Sequence, residues 1–226
     1  MDYRVEQKYL ITEERIAYLK QKLETCMQYD GNAAGESYLI RSIYFDDMYD
    51  TCLKENEAGT DIREKFRIRT YDNDSSFIHL ELKQKRKGFT RKQKERLTLE
   101  ECLCFMKGKN PKLKKEDGFL KKKLYSQGII RRMQPVQIVE YERTAFVEPL
   151  GNVRITFDKN IGGTTDIATF FDEYMPTVPA LPTGVHILEV KYDELLPDYI
   201  RETLEIGSLQ KTSFSKYYYT RVNGNI

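Results

Sequence analysis

The chain has 226 residues, enough to bury a sizeable core and within the length that all-β barrels fill with one domain. Net charge is only +2 although 32% of the residues are charged; no apolar run nears the roughly 20 residues of a membrane-crossing helix, and Met1-Asp2-Tyr3-Arg4-Val5-Glu6 carries no apolar leader core. Cys26, Cys52, Cys102 and Cys104 are too scattered for a disulfide scaffold, and Cys102-x-Cys104 lacks a second pair at zinc spacing, so reduced thiols in a cytoplasmic protein with no transmembrane segment are the expectation.

In chain order, Tyr3 to Ile11 alternates and predicts a strand, and Thr12 caps a helix through about Met27 whose apolar stripe is Ile16, Leu19, Leu23 and Met27. Tyr38 to Phe45 predicts a second strand, followed by a helical turn near Asp50 to Glu57. Strands are expected at Arg63–Tyr71, Phe77–Lys83 and about Lys92–Leu97, with Asp72-Asn73-Asp74-Ser75 as the turn between the first two. Thr98-Leu99-Glu100-Glu101 reads as a capping box, and a further helix is expected to end near Gly128. Val136–Phe146, Val153–Asp158 and Val185–Tyr192 predict strands, Gly162-Gly163 a turn, and Ile167 to Tyr174 a short helix. Pro197 suits the start of a helix ended by Gly207, and Lys211 to Val222 reads as a tail, in part strand. With no repeat, long linker or low-complexity tract, residues 1–226 are expected to form a single domain.

The near-neutral total hides a local bias. From Lys83 to Lys123 sixteen Lys/Arg stand against five acids, which favours an anionic partner. More informative is the spacing. Residues i and i+2 of a strand share a face, and here that face repeatedly carries charge: Glu6 and Lys8; Arg67 and Arg69 after Lys65; Glu81 and Lys83; Lys92, Lys94 and Arg96; Arg154 and Asp158; Glu189 and Lys191. Phe66, Ile68, Leu80, Leu82, Leu188 and Val190 alternate with them. Such strands either show their charges to solvent or close into a barrel with the charges inside. Amphipathic helices need an apolar sheet face to cover, which points to an α+β fold: an antiparallel β-barrel tunnel with amphipathic helices packed outside and a charged lumen that calls for an anionic ligand.

The ordered segments Arg4-Val5-Glu6-Gln7-Lys8-Tyr9, Arg41-Ser42-Ile43-Tyr44-Phe45-Asp46, Lys65-Phe66-Arg67-Ile68-Arg69-Thr70-Tyr71, Glu81-Leu82-Lys83, Tyr141-Glu142-Arg143-Thr144-Ala145-Phe146, Leu188-Glu189-Val190-Lys191 and Ser215-Lys216 resemble the VTC domain, the polyphosphate polymerase domain within the triphosphate tunnel metalloenzyme superfamily, over about residues 3–220. The resemblance implies transfer of the γ-phosphoryl of ATP to a growing polyphosphate chain, with Mn²⁺ or Mg²⁺. It places Arg67, Arg69, Lys83, Arg143 and Lys216 as catalytic phosphate-binding residues, Lys8, Lys94, Arg96 and Tyr141 as substrate-binding ones (Tyr141 stacking on adenine), and Glu189 on the metal. Glu6 or Glu81 is a candidate helper to Glu189. These types suit the chemistry, because phosphoryl transfer relies on positioning and charge stabilisation, guanidinium forks bind phosphate bidentately, and hard cations prefer carboxylate.

Alternatives are a tunnel triphosphatase or nucleotidase, and a non-catalytic polyphosphate-binding module; nucleic acid is not the expected partner, although Tyr217-Tyr218-Tyr219 could offer stacking surfaces. Triphosphatases of the superfamily open with E-x-E-x-K, and Arg4 stands at the first position here, which favours the polymerase branch. The simpler reading of Arg143 is a structural partner for Glu140 or Glu142. Ser215 reads as a loop former, and His79 and His186 as ordinary polar histidines.

Overall fold

A computed structural model describes residues 5–31, 36–86 and 89–223. Leading Arg4 of the first family-like segment lies outside them. Eleven strands and six helices are laid down in the order β1 (Val5–Thr12), α1 (Glu13–Leu23), β2 (Gln28–Tyr29), β3 (Tyr38–Asp46), α2 (Thr51–Glu57), β4 (Arg63–Tyr71), β5 (Ile78–Arg86), β6 (Phe89–Leu97), α3 (Leu99–Met106), α4 (Phe119–Ile130), β7 (Gln134–Glu148), β8 (Val153–Thr164), β9 (Val178–Pro179), β10 (Val185–Tyr192), α5 (Asp198–Leu204), β11 (Gln210–Lys211) and α6 (Lys216–Asn223). The hydrogen-bonded order is β11-β1-β10-β8-β7-β3-β4-β5-β6, with β2 on β7 and β9 on β8. The fold is α+β on an antiparallel sheet, as expected, but among the described residues the order has two ends, β11 and β6, and is not closed into the expected barrel. One end strand has only two residues, too few to carry a closing seam.

The chain divides into two compact units: one of residues to Leu39, Tyr141–Ile161 and Leu181–Phe214, the other of Ile40–Glu140, Gly162–Ala180 and Ser215 onward. In the first, Thr12 caps α1 by accepting from the Arg15 amide, and Glu13 and Glu14 occupy its dipole-favoured first turn. The α1 stripe Ile16, Leu19 and Leu23, with Ile200 and Leu204 of α5, packs on the apolar strand face of Tyr9, Ile11, Ile155, Phe157, Leu188 and Val190. Each such aliphatic side chain, fully buried, contributes about 1.5–3 kcal/mol relative to exposure.

In the second unit, Phe66, Ile68, Leu80 and Leu82 form the buried face of β4 and β5. Phe105 of α3 meets Phe45 of β3 edge-on at 6.3 Å. Glu95 of β6 crosses to the start of α4, where its carboxylate accepts from the amides of Gly118, Leu120 and Lys121 at 3.1, 2.9 and 3.4 Å. α3 begins with the expected capping box between Thr98 and Glu101.

Four further expectations are corrected. α5 ends at Leu204, where Glu205 takes the left-handed conformation, rather than at Gly207. α1 ends at Leu23 rather than near Met27. Gly162-Gly163 is not a turn but lies inside β8, paired with Pro179 and Val178. A Cβ on Gly163 would meet Gln137 Nε2 at 2.5 Å and the Ile138 carbonyl oxygen at 2.7 Å, so close backbone approach explains this glycine. The tail from Lys211 is mostly helical: α6 opens after Ser215, whose Oγ accepts from the Tyr218 amide, and Tyr217 buries its ring against Tyr44.

Gly163→Ala is therefore expected to cost about 1–3 kcal/mol by overpacking, whereas Gly207→Ala, with open space around it, stays within about 0.5 kcal/mol of the parent; urea unfolding midpoints distinguish the two.

Candidate phosphate-binding site

In the second unit, register builds a grid. Lys65 pairs with Lys83, Arg67 with Glu81 and Arg69 with His79; across the next ladder Lys83 pairs with Lys92, Glu81 with Lys94 and His79 with Arg96. Cross-strand partners share a face, so nine positions on one face of β4, β5 and β6 hold seven cations, one histidine and one carboxylate. Glu95 and the leucines point the other way, towards α4.

Arg67 grips Glu81 through Nε at 2.7 Å and Nη2 at 2.6 Å, and its Nη1 donates to the Tyr44 hydroxyl at 3.1 Å. Lys92 adds a 2.7 Å contact to the other Glu81 oxygen. Burial alone would raise the Glu81 carboxyl, but Arg67, Arg69 and Lys92 hold it far below the usual range. Arg69 is 5% exposed and donates from Nε to Ser42 Oγ at 3.0 Å. Lys83 and Lys94 are exposed on the grid. Arg96, also exposed, turns to the Ser76 carbonyl at 2.8 Å and lies 5.6 Å over the Phe77 ring. Burial, against the pull of Tyr44, brings the Lys65 ammonium down to about 8, and its Nζ donates to Asn56 Oδ1.

Sequence reasoning missed Tyr44. It stacks on Tyr217 at 5.0 Å, and the Tyr217 hydroxyl donates to buried Asp46 at 2.6 Å. Burial pushes the Tyr44 phenol up, yet Arg67, Arg69 and Lys216 more than offset it and bring it down to about 8. Lys216 thus adds its charge to the same locality from the first turn of α6. Tyr44 sits directly opposite Arg67 in the β3–β4 register, a pairing that only the folded sheet reveals. The stacked Tyr217 is buried, so the Tyr217-Tyr218-Tyr219 run is not an open platform.

In the first unit, Lys8 pairs with Glu189, which pairs with Thr156; Glu6 pairs with Lys191, which pairs with Arg154. Glu189 is 4% exposed and surrounded by Lys191 Nζ at 2.9 Å, Arg143 Nη2 at 3.6 Å and Lys8 Nζ at 3.8 Å. Lys8 also reaches Glu6 at 3.3 Å and donates to the Phe214 carbonyl at 3.0 Å. Arg143 is locked by a bidentate pair to fully buried Asp158, at 2.6 and 2.7 Å, and that carboxylate lifts its already high pKa despite burial. Its structural partner is therefore Asp158, not Glu140 or Glu142; Glu140 instead pairs with Arg41. Tyr141 is 3% exposed and lies 5.2 Å beneath the Arg143 guanidinium, a position that steadies the arginine and leaves little ring for a base.

The donors fit a cation that arrives with phosphate rather than a self-standing metal centre. Among the described residues no three His, Cys, Asp or Glu side chains gather as a cage, whereas Mg²⁺-like ions need only one or two carboxylates when phosphate supplies the rest. Glu189, with Glu6 two residues along the same face, meets that requirement. His186 pairs with Glu13 at 2.8 Å, away from this cluster.

A family profile described as the VTC domain matches residues 3–221. Comparison with curated proteins gives no match. Among solved structures, a Bacillus halodurans protein described as a "putative adenylate cyclase" is similar at 14% identity and TM-score 0.55, covering 95% of this chain and 94% of its own. The PH1819 protein of Pyrococcus horikoshii is also similar, at 14% identity and TM-score 0.48, covering 96% and 97%.

Tyr44 offers a direct check of the second-unit geometry. Absorbance at 295 nm should show one tyrosine ionising near pH 8, absent in Tyr44→Phe. Between pH 8 and 10 the unfolded chain then holds the proton that the folded chain has released, so this group makes stability rise with pH in that window; Tyr44→Phe should flatten the rise.

Proposed function

The chain belongs to the VTC domain family, and on that premise we propose that it is a metal-dependent phosphotransferase which passes the γ-phosphoryl of ATP to a polyphosphate chain. The observation that carries the reading is the grid of seven cations against one carboxylate on a single strand face. A charge surplus of this kind calls for a polyanion. One profile spans both units, so we read residues 1–226 as a single domain.

In this reading Arg67 and Arg69 supply planar donors fixed in place by Glu81, Tyr44 and Ser42, and they stabilise charge on the equatorial oxygens of the transferring group. Lys83, Lys94 and Arg96 neutralise the extended phosphate chain, and Lys216 adds charge beside Tyr44. Arg143, held by Asp158 and Tyr141, and Lys8 bind phosphate next to Glu189. Glu189 would hold Mn²⁺ or Mg²⁺, which would supply neutralisation of the charge that develops on the phosphate. No side-chain nucleophile is required, because the acceptor is a phosphate oxygen of the growing chain. No helix among the described residues is long and apolar enough to cross a membrane, and we assign the protein to the cytoplasm.

Purified protein incubated with ATP and Mn²⁺ is expected to make polymer visible on a polyphosphate-stained gel. Steady phosphate release without polymer would instead establish the triphosphatase reading. Removing Arg67 takes from buried Glu81 one of the two cations that grip it, so the arginine test is best made as Arg67→Ala with Arg69→Ala on a Glu81→Gln background. Loss of two charge-assisted contacts should remove about 3–6 kcal/mol of transition-state stabilisation relative to Glu81→Gln; a rate within about threefold of that background would overturn the assignment.

A further inference from the structure

Across the β8–β10 ladder from Glu189 stands a hydroxyl rather than a charge. Thr156 lies in the middle of β8, directly opposite Glu189, in the row Lys8–Glu189–Thr156. Partners so placed have Cβ atoms about 4.5–5.5 Å apart on one face. Thr156 is 2% exposed, and its Oγ1 is buried with no hydrogen-bond partner among the described residues.

The flanking residues of the same strand face contrast with it. Arg154 is held by Asp30 at 2.6 Å and the Tyr38 hydroxyl at 3.2 Å, and Asp158 is held by Arg143. A buried strand interior ordinarily takes an apolar β-branched residue, and a hydroxyl there without a partner is unfavourable. Valine would fill the same space. A buried, unpartnered threonine hydroxyl at this position therefore points to a partner that comes from outside the chain, and the adjoining carboxylate specifies its chemistry. Arg143 and Lys8 beside Glu189 already offer phosphate its charge partners, whereas a hard divalent cation prefers neutral and anionic oxygen together, which Thr156 and Glu189 supply.

We propose that Thr156 Oγ1 and the Glu189 carboxylate form a pair of oxygen ligands, direct or through one bound water, for the divalent cation that accompanies a phosphate chain. The inference rests on the assignment of Glu189 to the metal. It adds a residue of a different strand and a different chemical type, and it gives β8 a role in cation recognition beyond scaffolding.

The test uses Mn²⁺ with inorganic triphosphate as the probe, and triphosphate in excess chelator as the metal-free probe, each titrated calorimetrically into the full chain. Thr156→Val should weaken Mn²⁺-triphosphate binding about tenfold, while Thr156→Ser and every metal-free titration stay within about twofold of the parent. Because Thr156→Val removes an unpartnered buried hydroxyl, its ligand-free melting temperature should equal or exceed that of the parent. Parent-like Mn²⁺-triphosphate binding by Thr156→Val overturns the proposal. So does an equal loss in the metal-free titration, which would make the hydroxyl a phosphate contact, and so does a melting temperature lowered by several degrees, which would give it a structural partner. Glu189→Gln separates the two levels. If it also binds like the parent, the metal assignment of Glu189 fails; if it alone loses affinity, only the Thr156 inference fails.

Discussion

Like charges on one strand face repel, and the second unit is organised around that repulsion. Two unit charges about 5 Å apart cost about 3 kcal/mol at an effective dielectric near 20, and the grid on β4, β5 and β6 contains several such neighbours. Glu81 is buried at its centre and relieves part of the strain by binding Arg67 and Lys92 at once. Tyr44 adds to this, because its hydroxyl oxygen accepts from Arg67 Nη1 at 3.1 Å. The face keeps a net positive charge, set by the spacing of its strands.

The first unit solves the opposite problem. Its acidic groups, Glu6, Asp158 and Glu189, are each matched by Lys8, Arg143 or Lys191, so the cluster is close to neutral and strongly cross-linked. Arg143 illustrates how this cluster holds a guanidinium in one plane. Its bidentate grip on Asp158 fixes the guanidinium plane, and the ring of Tyr141 supports it from below. A guanidinium fixed in this way loses little freedom on meeting phosphate, which is the usual advantage of arginine over lysine at such positions.

Most strands were legible from the sequence because alternation of charge and apolar bulk has only one structural explanation at period two. The same alternation correctly assigned which faces the helices cover, through Leu188 and Val190 in one unit and Leu80 and Leu82 in the other. What escaped was decided by partners distant in sequence. Lys216-Tyr217-Tyr218-Tyr219 has the composition of a strand, and its helix depends on Tyr217 reaching Tyr44 and Asp46. Gly162-Gly163 looked like a turn because a glycine pair carries no record of the Ile138 backbone lying against it. Barrel closure failed for a similar reason: pairing of end strands is a long-range outcome that local pattern does not contain. Among the site residues, Arg67 and Arg69 announced themselves by charge and spacing. Tyr44 and Thr156 could not, since an aromatic and a hydroxyl within a strand look like ordinary packing until the register is known.

The end strand β6 has a meaning for the life of the protein in a crowded solution. Nine residues long, it pairs among the described residues with β5 alone, which leaves one row of its backbone donors and acceptors without a neighbouring strand among them. A bare edge of that length invites a second copy to add its own strand and begin a fibre. Arg91, Lys92, Lys94 and Arg96 make such an approach electrostatically unfavourable. The barrier is a matter of charge alone, so it falls as ionic strength rises, and the strand that keeps copies apart in dilute buffer loses that protection at high salt.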